Sequence, residues 1–431
     1  MSNNNVDLTG LYKTTPYPAY VHGFSHPGHV AAVATLYGLS PPDPTHARVL
    51  EISSASGRNL RWIARSLPHS RCLGIDLVVN ETQDEMPRNV CIVEADILDY
   101  DFGEDRFDYI IAHGFLSWVP ENVQQRLFEV CRDYLTTNGV ALISYNTMPG
   151  CLVRDSLRRL LLYELSGVDQ GGEKHADQKS QMGAVSRVLE FFAKTLPMPG
   201  VSQLPHADLL QSNVEALRNK ISTILLHDEA GLIYEPLYLL QFSMWAAETN
   251  LAYVADADLG LDWMGIYPKS LRQAIVDFEL PRLKALQYVD YVFNSSFRKS
   301  LVCRKQDAGS LLPSPDYSAL DRLWISTHVQ AMQPVTSLNS AEKYGDRAQK
   351  QVPEVTDPLI ESLFETLAHA PPAGMPFRDA LIAAWNSTNP GQSLPGDIPQ
   401  SIGRCVLESV VHGRMSLSCG PVPVAETGTK E

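Results

Sequence analysis

The sequence predicts an α/β protein: a doubly wound, mostly parallel, Rossmann-like sheet with a helical insertion, plus a C-terminal winged-helix-like α+β domain. Three observations predict it. Apolar runs at 48–52, 71–77, 90–97, 107–113 and 139–146 lack the alternation of half-exposed strands, so they read as strands buried on both faces. Helix-spaced apolar residues fill intervals between them, and alternating β and α units make a parallel sheet. A linker-like stretch at 305–318, "KQDAGSLLPSPDYS", then separates this unit from helical patterns with their own caps.

Residues 1–45 form an N-terminal cover segment, a Tyr/Pro stretch followed by a helix near 28–38. The first strand ends in Glu51 and a turn of small residues. The turn feeds a helix over 57–67, whose Leu60, Ile63, Ala64 and Leu67 fall at helical spacing. The 78–89 interval is too short and polar for a full crossover helix, so an irregular connection is expected there. A helix over 121–135 carries Val123, Leu127, Val130, Cys131 and Tyr134 on one stripe. Residues 151–230 are mostly helical with polar interruptions and read as a helical insertion, the middle or regulatory region. A helix at 235–249, strands at 251–257 and 297–304, and helical sequence at 268–293 complete the sheet domain, which thus comprises 46–150 and 231–305.

In the C-terminal domain, 320–425, Asp357 caps a helix with Pro358 at its first position. "APPAGMP" turns into a helix at 377–386. Asp397 opens a third helix ended by Gly413, and "RMSLSC" closes a terminal strand pair. The third helix carries Glu408 as well as Arg404. A DNA-reading helix should be far more basic, so a docking role is expected.

Composition narrows the function classes. A net charge of −14 over 431 residues argues against non-specific nucleic-acid binding and is compatible with a basic substrate. No apolar run reaches the roughly 18 residues of a membrane helix, and the opening "MSNNNVDLTG" has no secretory pattern. Seven scattered cysteines without a C-x-x-C pair argue against structural zinc and a disulfide framework, so a reducing cytoplasm is the expected location. Nothing in the sequence indicates an oligomeric state.

The chemistry begins at "LEISSASGRNLRWIA", 50–64. Strand, tight turn and helix with an acid at the strand end seat many nucleotide-like cofactors. A dinucleotide would want G-x-G-x-x-G for its pyrophosphate, and that pattern is absent. Ser53, Ser54, Ala55 and Ser56 keep the turn open provided their φ values are negative, with Gly57 the lone glycine. A cofactor without phosphates makes smaller demands, and S-adenosylmethionine fits that description. Asp76, 19 positions after Gly57, ends the second strand where it can accept ribose hydroxyls. Asp96 ends the third, beside Ile97, where it can accept from an adenine amine. Glu51 is placed to order water or receive an amino group. The alternative is that strand-end acids only cap the segments after them.

His113 closes the fourth strand, followed by Gly114 and Trp118. It is a base, a hydrogen-bonding wall, or a satisfied buried histidine. "TPYPAYVHGFSHPGH", 15–29, gathers Tyr17, Tyr20, His22, His26 and His29. It lacks an acidic or cysteine partner, so no metal is expected. An aromatic lining that attracts a cation, or plain packing under the N-terminal arm, are the alternatives.

These motifs, with "SHPGHVAAVATLYGLSPPD", "FDYIIAHGFLSWVP", "GVALISYNTMPG" and "YVDYVFNSSFRKSLVCR", resemble the class I methyltransferases that carry a methyltransferase regulatory domain. That family includes bacterial protein lysine methyltransferases. The resemblance spans nearly the whole chain. It implies S-adenosylmethionine as cofactor, held by Glu51, Ser53, Gly57, Asn59, Asp76, Leu77, Asp96, Ile97, His113 and Gly114. It implies Tyr17, His113 and Trp118 as catalytic residues, with Tyr17 in the cover. The family turn reads E-x-G-C-x-x-G-G-N; here Gly57 and Asn59 match and serine or alanine stands elsewhere. The function implied is S-adenosylmethionine-dependent methylation of a lysine or other nucleophile on a protein or peptide. A small-molecule methyltransferase and a non-catalytic binding protein are the alternatives.

Overall fold

The computed structural model describes residues 20–79, 85–166, 178–220, 225, 228, 229, 231, 233–327 and 357–422. Seven strands form the main sheet: β1 Arg48–Ile52, β2 Arg71–Asp76, β3 Val90–Glu94, β4 Phe107–Ala112, β5 Leu135–Asn146, β6 Leu251–Asp256 and β7 Phe297–Arg304. Their spatial order is β3-β2-β1-β4-β5-β7-β6. All neighbours are parallel except β7, which runs antiparallel to both β5 and β6. The order reverses at β1, so β1 and β4 flank the crevice where α/β sheets take ligands.

Alternate residues of each strand feed two cores. Val49 faces one with α1 (Pro27–Leu36) and α2 (Arg58–Ser66). Leu50 and Ile52 face the other with α3 (Glu121–Tyr134), α7 (Leu239–Glu248) and α10 (Arg282–Phe293). The 151–230 region contributes α4 (Leu152–Ser166), α5 (Gln178–Thr195) and α6 (Ala207–Arg218), which bury Leu157, Leu161, Val185, Leu189 and Val214 in a core of their own. Between β6 and α10 lie α8 (Leu259–Asp262) and α9 (Lys269–Asp277).

The fifth strand starts at Leu135, four residues before the expected 139. A register shift beside Phe107 lets Leu135 pair, and Asn138 takes φ 56° within the irregularity. The antiparallel strand β7 is pinned by a fully buried knot. Arg298 grips Asp290 through Nε at 2.8 Å and Nη2 at 2.9 Å, and reaches Asp256 at 3.5 Å.

The C-terminal unit holds α11 (Pro358–Ala368), α12 (Phe377–Thr388) and α13 (Gln400–Val411). Asp357 caps α11 as expected, accepting from the Leu359 amide at 2.9 Å. Asp397 does not open α13: Pro399 occupies the cap position and α13 begins after it. The expected strand pair is a three-stranded antiparallel sheet, because β9 (Met375–Pro376) joins β8 (Trp324–Thr327) and β10 (Met415–Ser418). On α13, Arg404 bonds Glu408 at 2.8 Å and Gly265 O at 3.3 Å, so its charge is engaged within the protein.

α1 belongs to both units. Its residues share one continuous core with the main sheet and with Ile360, Leu363, Phe377, Leu381, Val406 and Leu417. Backbone bonds run from Cys419 N to Gly28 O (2.8 Å) and from Asp316 N to Leu36 O (2.7 Å).

Candidate active site

The turn after β1 is built on left-handed backbone. Ser53 has φ 63°, Ala55 φ 48° and Gly57 φ 74°. The expectation of negative φ at the serine-alanine positions is therefore wrong for Ser53 and Ala55. The chain must reverse from strand to helix while two successive amides, Ser53 N (2.8 Å) and Ser54 N (3.3 Å), bond Ile75 O on β2. Side chains are accepted there at a conformational cost of about 1–2 kcal/mol per residue. At Gly57 a Cβ would lie 1.9 Å from Ile92 Cδ1, so a side chain there would require the Ile92 methyl to move as well as the left-handed backbone to be accepted. Gly74 on β2 is bare for the same kind of reason: a Cβ would sit 2.7 Å from Ser54 Oγ.

Two acids lie at the ends of β1 and β2, Glu51 and Asp76; β3 ends at Glu94 rather than at Asp96, which falls two residues beyond the strand. Glu51 is buried on β1 and its Oε1 accepts from Asn59 Nδ2 at 2.7 Å. Its Oε2 is buried with no partner in good hydrogen-bond geometry, although the Leu60 amide lies near enough to the carboxyl to lower its pKa. Burial pushes this carboxyl up to about 7, with the nearby Asp76 charge adding to the shift. Asp76 ends β2; its Oδ2 accepts from Ala55 N at 2.7 Å and its Oδ1 from Val78 N at 3.0 Å. Burial raises its pKa as well. Each of its oxygens keeps a second lone pair. Asp96, just past β3, accepts from Leu98 N at 2.9 Å, so it caps its own turn beside buried Ile97. Leu77 is 37% exposed next to Asp76. The connection after β2 is irregular at 78–79 and 85–89, as expected, and the rest of it lies outside the described residues.

Asn59 ties the cover to this turn. Its Oδ1 accepts from His22 N at 2.9 Å, and its Nδ2 also reaches Ser25 Oγ at 3.0 Å. The 20–26 segment thereby lies over the end of β4. The His22 ring packs edge-on against His113 with centroids 4.1 Å apart, and Phe24 adds a second edge contact at 4.9 Å. Tyr17 lies outside the described residues.

His113 follows β4 and bonds Ser144 Oγ through Nδ1 at 2.8 Å; Gly114 N donates to the same oxygen at 2.8 Å. Gly114 has φ 65°, and a Cβ there would meet nothing within 4 Å, so the space beside it is open. Burial first, then His22 and Lys299, hold His113 down at about 3. Burial and Lys299 hold His22 at about 4. Both shifts favour the neutral imidazoles at physiological pH. Lys299 reaches over the Phe24 ring at 5.0 Å and pairs with Asp258 at 3.5 Å.

His26 and His29 do not converge. His26 caps α1 by accepting from Gly28 N at 3.0 Å and bonds Ser66 Oγ at 2.7 Å. His29 bonds Ala257 O at 2.9 Å. Trp118 stands on a 3-10 turn beyond Gly114 and packs on Tyr234 with centroids 5.0 Å apart. Arg154 lies over both rings and grips Glu229 at 2.8 Å.

Sequence reasoning missed Ser144, Ser25 and Lys299. Ser144 and Asn146 are polar residues alternating at the end of an otherwise apolar strand, a signal that marks the site face of β5.

The residues fit S-adenosylmethionine. A buried carboxylate oxygen on Glu51 without a well-placed donor, spare lone pairs on Asp76, and open space at Gly114 meet a cationic nucleoside without phosphates. Sheet order, switch point and acid series define a class I methyltransferase architecture. Comparison with known proteins gives the same class. Residues 49–139 match the methyltransferase domain family, and residues 222–304 match the family described as a predicted methyltransferase regulatory domain. The Rickettsia prowazekii protein RP789 is 31% identical over 301 residues, which are 68% of this chain and 52% of that protein. Its RP028 is 29% identical over 238 residues, 54% of this chain and 91% of that protein. The chain thus spans about half the length of one curated relative and most of the other. PKMT2 from Rickettsia typhi superposes with a TM-score of 0.71 at 22% identity, over 93% of this chain and 77% of that one. Its AdoHcy complex gives 0.72 at 23%. Residues 49–139 thus match a methyltransferase domain, residues 222–304 a predicted methyltransferase regulatory domain, and the described chain shares its fold with PKMT2.

Proposed function

We propose that the protein methylates a lysine side chain of a protein substrate. The observation that carries the reading is the acid series, Glu51, Asp76 and Asp96, gathered around the 53–57 turn and strapped to the cover through Asn59. Similarity in fold to PKMT2 supports the protein substrate.

When bound, S-adenosylmethionine supplies a methyl on a sulfonium, an electrophile that needs no metal. Glu51 would receive its cationic amino group, Asp76 would accept its hydroxyls at spare lone pairs, and Leu77, Ile97 and Asp96 would line the side that takes its base. The Ser53–Gly57 backbone lets these groups approach. His113 and His22 form a neutral wall, with Gly114 leaving room at the floor. Positioning and exclusion of water are the main contributions of such a site.

The lysine must lose its proton, at a cost of about 4–5 kcal/mol at neutral pH. Imidazoles held at about 3 and 4 are too weakly basic to take it. The proton goes to water, with Tyr17 the remaining side-chain candidate. Trp118 is a positioning residue in this reading, holding Tyr234 and Arg154 beside the end of β5.

The test is transfer of labelled methyl from S-adenosylmethionine to a cell lysate, with the acceptor mapped by mass spectrometry. Label on lysine, lost in Asp76→Ala with Asn59→Ala, is expected. No calorimetric binding of S-adenosylhomocysteine, or transfer undiminished in that double variant, would refute the reading.

A further inference from the structure

The opposite end of the sheet carries a second, chemically inverted feature. An arginine stands at or just before the start of four neighbouring strands: Arg48 opens β1, Arg71 opens β2, Arg88 precedes β3 by two residues and Arg106 precedes β4 by one. They line an open cleft of about 700 Å³. Asp105 is the one acid in that lining among the described residues. Four cations against one anion in a chain of net charge −14 is a local reversal of sign.

Three of the guanidiniums are uncommitted. Arg106 bonds the Asp105 carbonyl at 2.7 Å and lies over the Tyr134 ring. The side chains of Arg48, Arg71 and Arg88 have no ion-pair or hydrogen-bond partner among the described residues. Nearby Asp108 is spent on the Arg48 amide (2.8 Å) and Thr136 (2.8 Å). Unpaired guanidinium forks lining one cleft suit phosphate oxygens, which they can bind in bidentate fashion. The rest of the lining is not ionic: Leu73, Val93 and the Tyr100 ring offer apolar surface, and the His69 ring, stacked on His46 at 5.5 Å and 11°, offers a flat face.

We propose that this amino-edge cleft is a second ligand site, for a phosphorylated nucleoside. Phosphates meet Arg48, Arg71 and Arg88; the flat base lies against the apolar and aromatic side. The volume suits one small ligand. A nucleic-acid strand is disfavoured because the surrounding charge of the protein is negative. β2 runs from Arg71 at this edge to Asp76 at the other, roughly 17 Å away by strand geometry, so the two sites do not overlap.

The experiment is calorimetric titration of the full chain with ATP at 50 mM salt, in saturating S-adenosylhomocysteine so that the carboxyl-edge site is filled. Adenosine, tripolyphosphate and a 20-nucleotide RNA are titrated in parallel. One ATP per chain is expected, with tripolyphosphate and adenosine each at least tenfold weaker. Arg71 and Arg88 are exposed, so R71A/R88A should fold; it should weaken ATP at least tenfold and leave S-adenosylhomocysteine binding unchanged. Absence of ATP binding, ATP affinity unchanged in R71A/R88A, tripolyphosphate binding as tightly as ATP, or tighter binding of the RNA would each overturn the proposal. A chain that takes ATP at Arg71 and Arg88 but fails to bind S-adenosylhomocysteine would overturn the methyltransferase reading and leave this one standing.

Discussion

Replacing Ser53 and Ala55 by glycine should stabilise the protein, although glycine ordinarily weakens a chain. Both residues sit in the left-handed region, at φ 63° and 48°. An L-residue loses about 1–2 kcal/mol there. Glycine recovers that, but frees the unfolded chain and gives back about 0.4–1 kcal/mol. The balance is about 0.5–1 kcal/mol per position, so S53G/A55G should gain about 1–2 kcal/mol, if the two sites add. Ser53 is exposed and its hydroxyl makes no hydrogen bond among the described residues, so no contact is lost with it. Urea unfolding followed by tryptophan fluorescence reads the effect, since Trp62 lies on the helix that the turn feeds. Gly57→Ala is the control and should destabilise by about 1–2 kcal/mol, because it puts a side chain on left-handed backbone and displaces the Ile92 methyl. A double glycine variant less stable than the parent would refute the reasoning, showing that the left-handed turn is not strained.

Three further outcomes are expected. Glu51 ionises near 4.5 when unfolded and is held at about 7 when folded, so its contribution to stability is complete below pH 4.5 and lost as pH rises to 7. Glu51→Gln should therefore gain on the parent by about 3 kcal/mol across that window, and unfolding midpoints at pH 4.5, 6 and 8 check it. Asn59→Ala removes bonds to Glu51, Ser25 and His22 N; it should lose about 2–4 kcal/mol and speed amide exchange at 20–26, measured by hydrogen–deuterium exchange. Arg298→Met leaves Asp290 and Asp256 buried without their cation and should lose about 3–5 kcal/mol, read by thermal unfolding.

Much of this architecture is legible in the amino-acid order, and the reasons are local. Strands such as 48–52 and 107–112 are largely apolar runs bounded by polar or turn residues, the pattern that burial on both faces of a sheet demands. The start of β5 was less legible because "LTTNG" looks like a loop; pairing of Leu135 with Phe107 depends on a register shift that no local pattern announces. At the site, Glu51, Asp76 and Gly57 stand out by strand-end position. The left-handed φ of Ser53 and Ala55 did not, because tertiary bonds to Ile75 O impose it against residue preference. His22 meets Asn59 across 37 positions, and His113 meets Ser144 across 31. Contacts at that separation are set by topology and become visible only once the strands are ordered.

Helix α1 has one flank on the main sheet and the other on the C-terminal unit, and it carries the 20–26 strap at its entrance. The two halves are therefore not interchangeable parts. A shortened chain ending before residue 320 would leave the strap hinged on a helix with one greasy side bare. Grafting a relative's C-terminal half would succeed only if residues 20–39 came with it. Residues 20–39 and 357–420 should accordingly be exchanged together in any chimaera, as one packing unit.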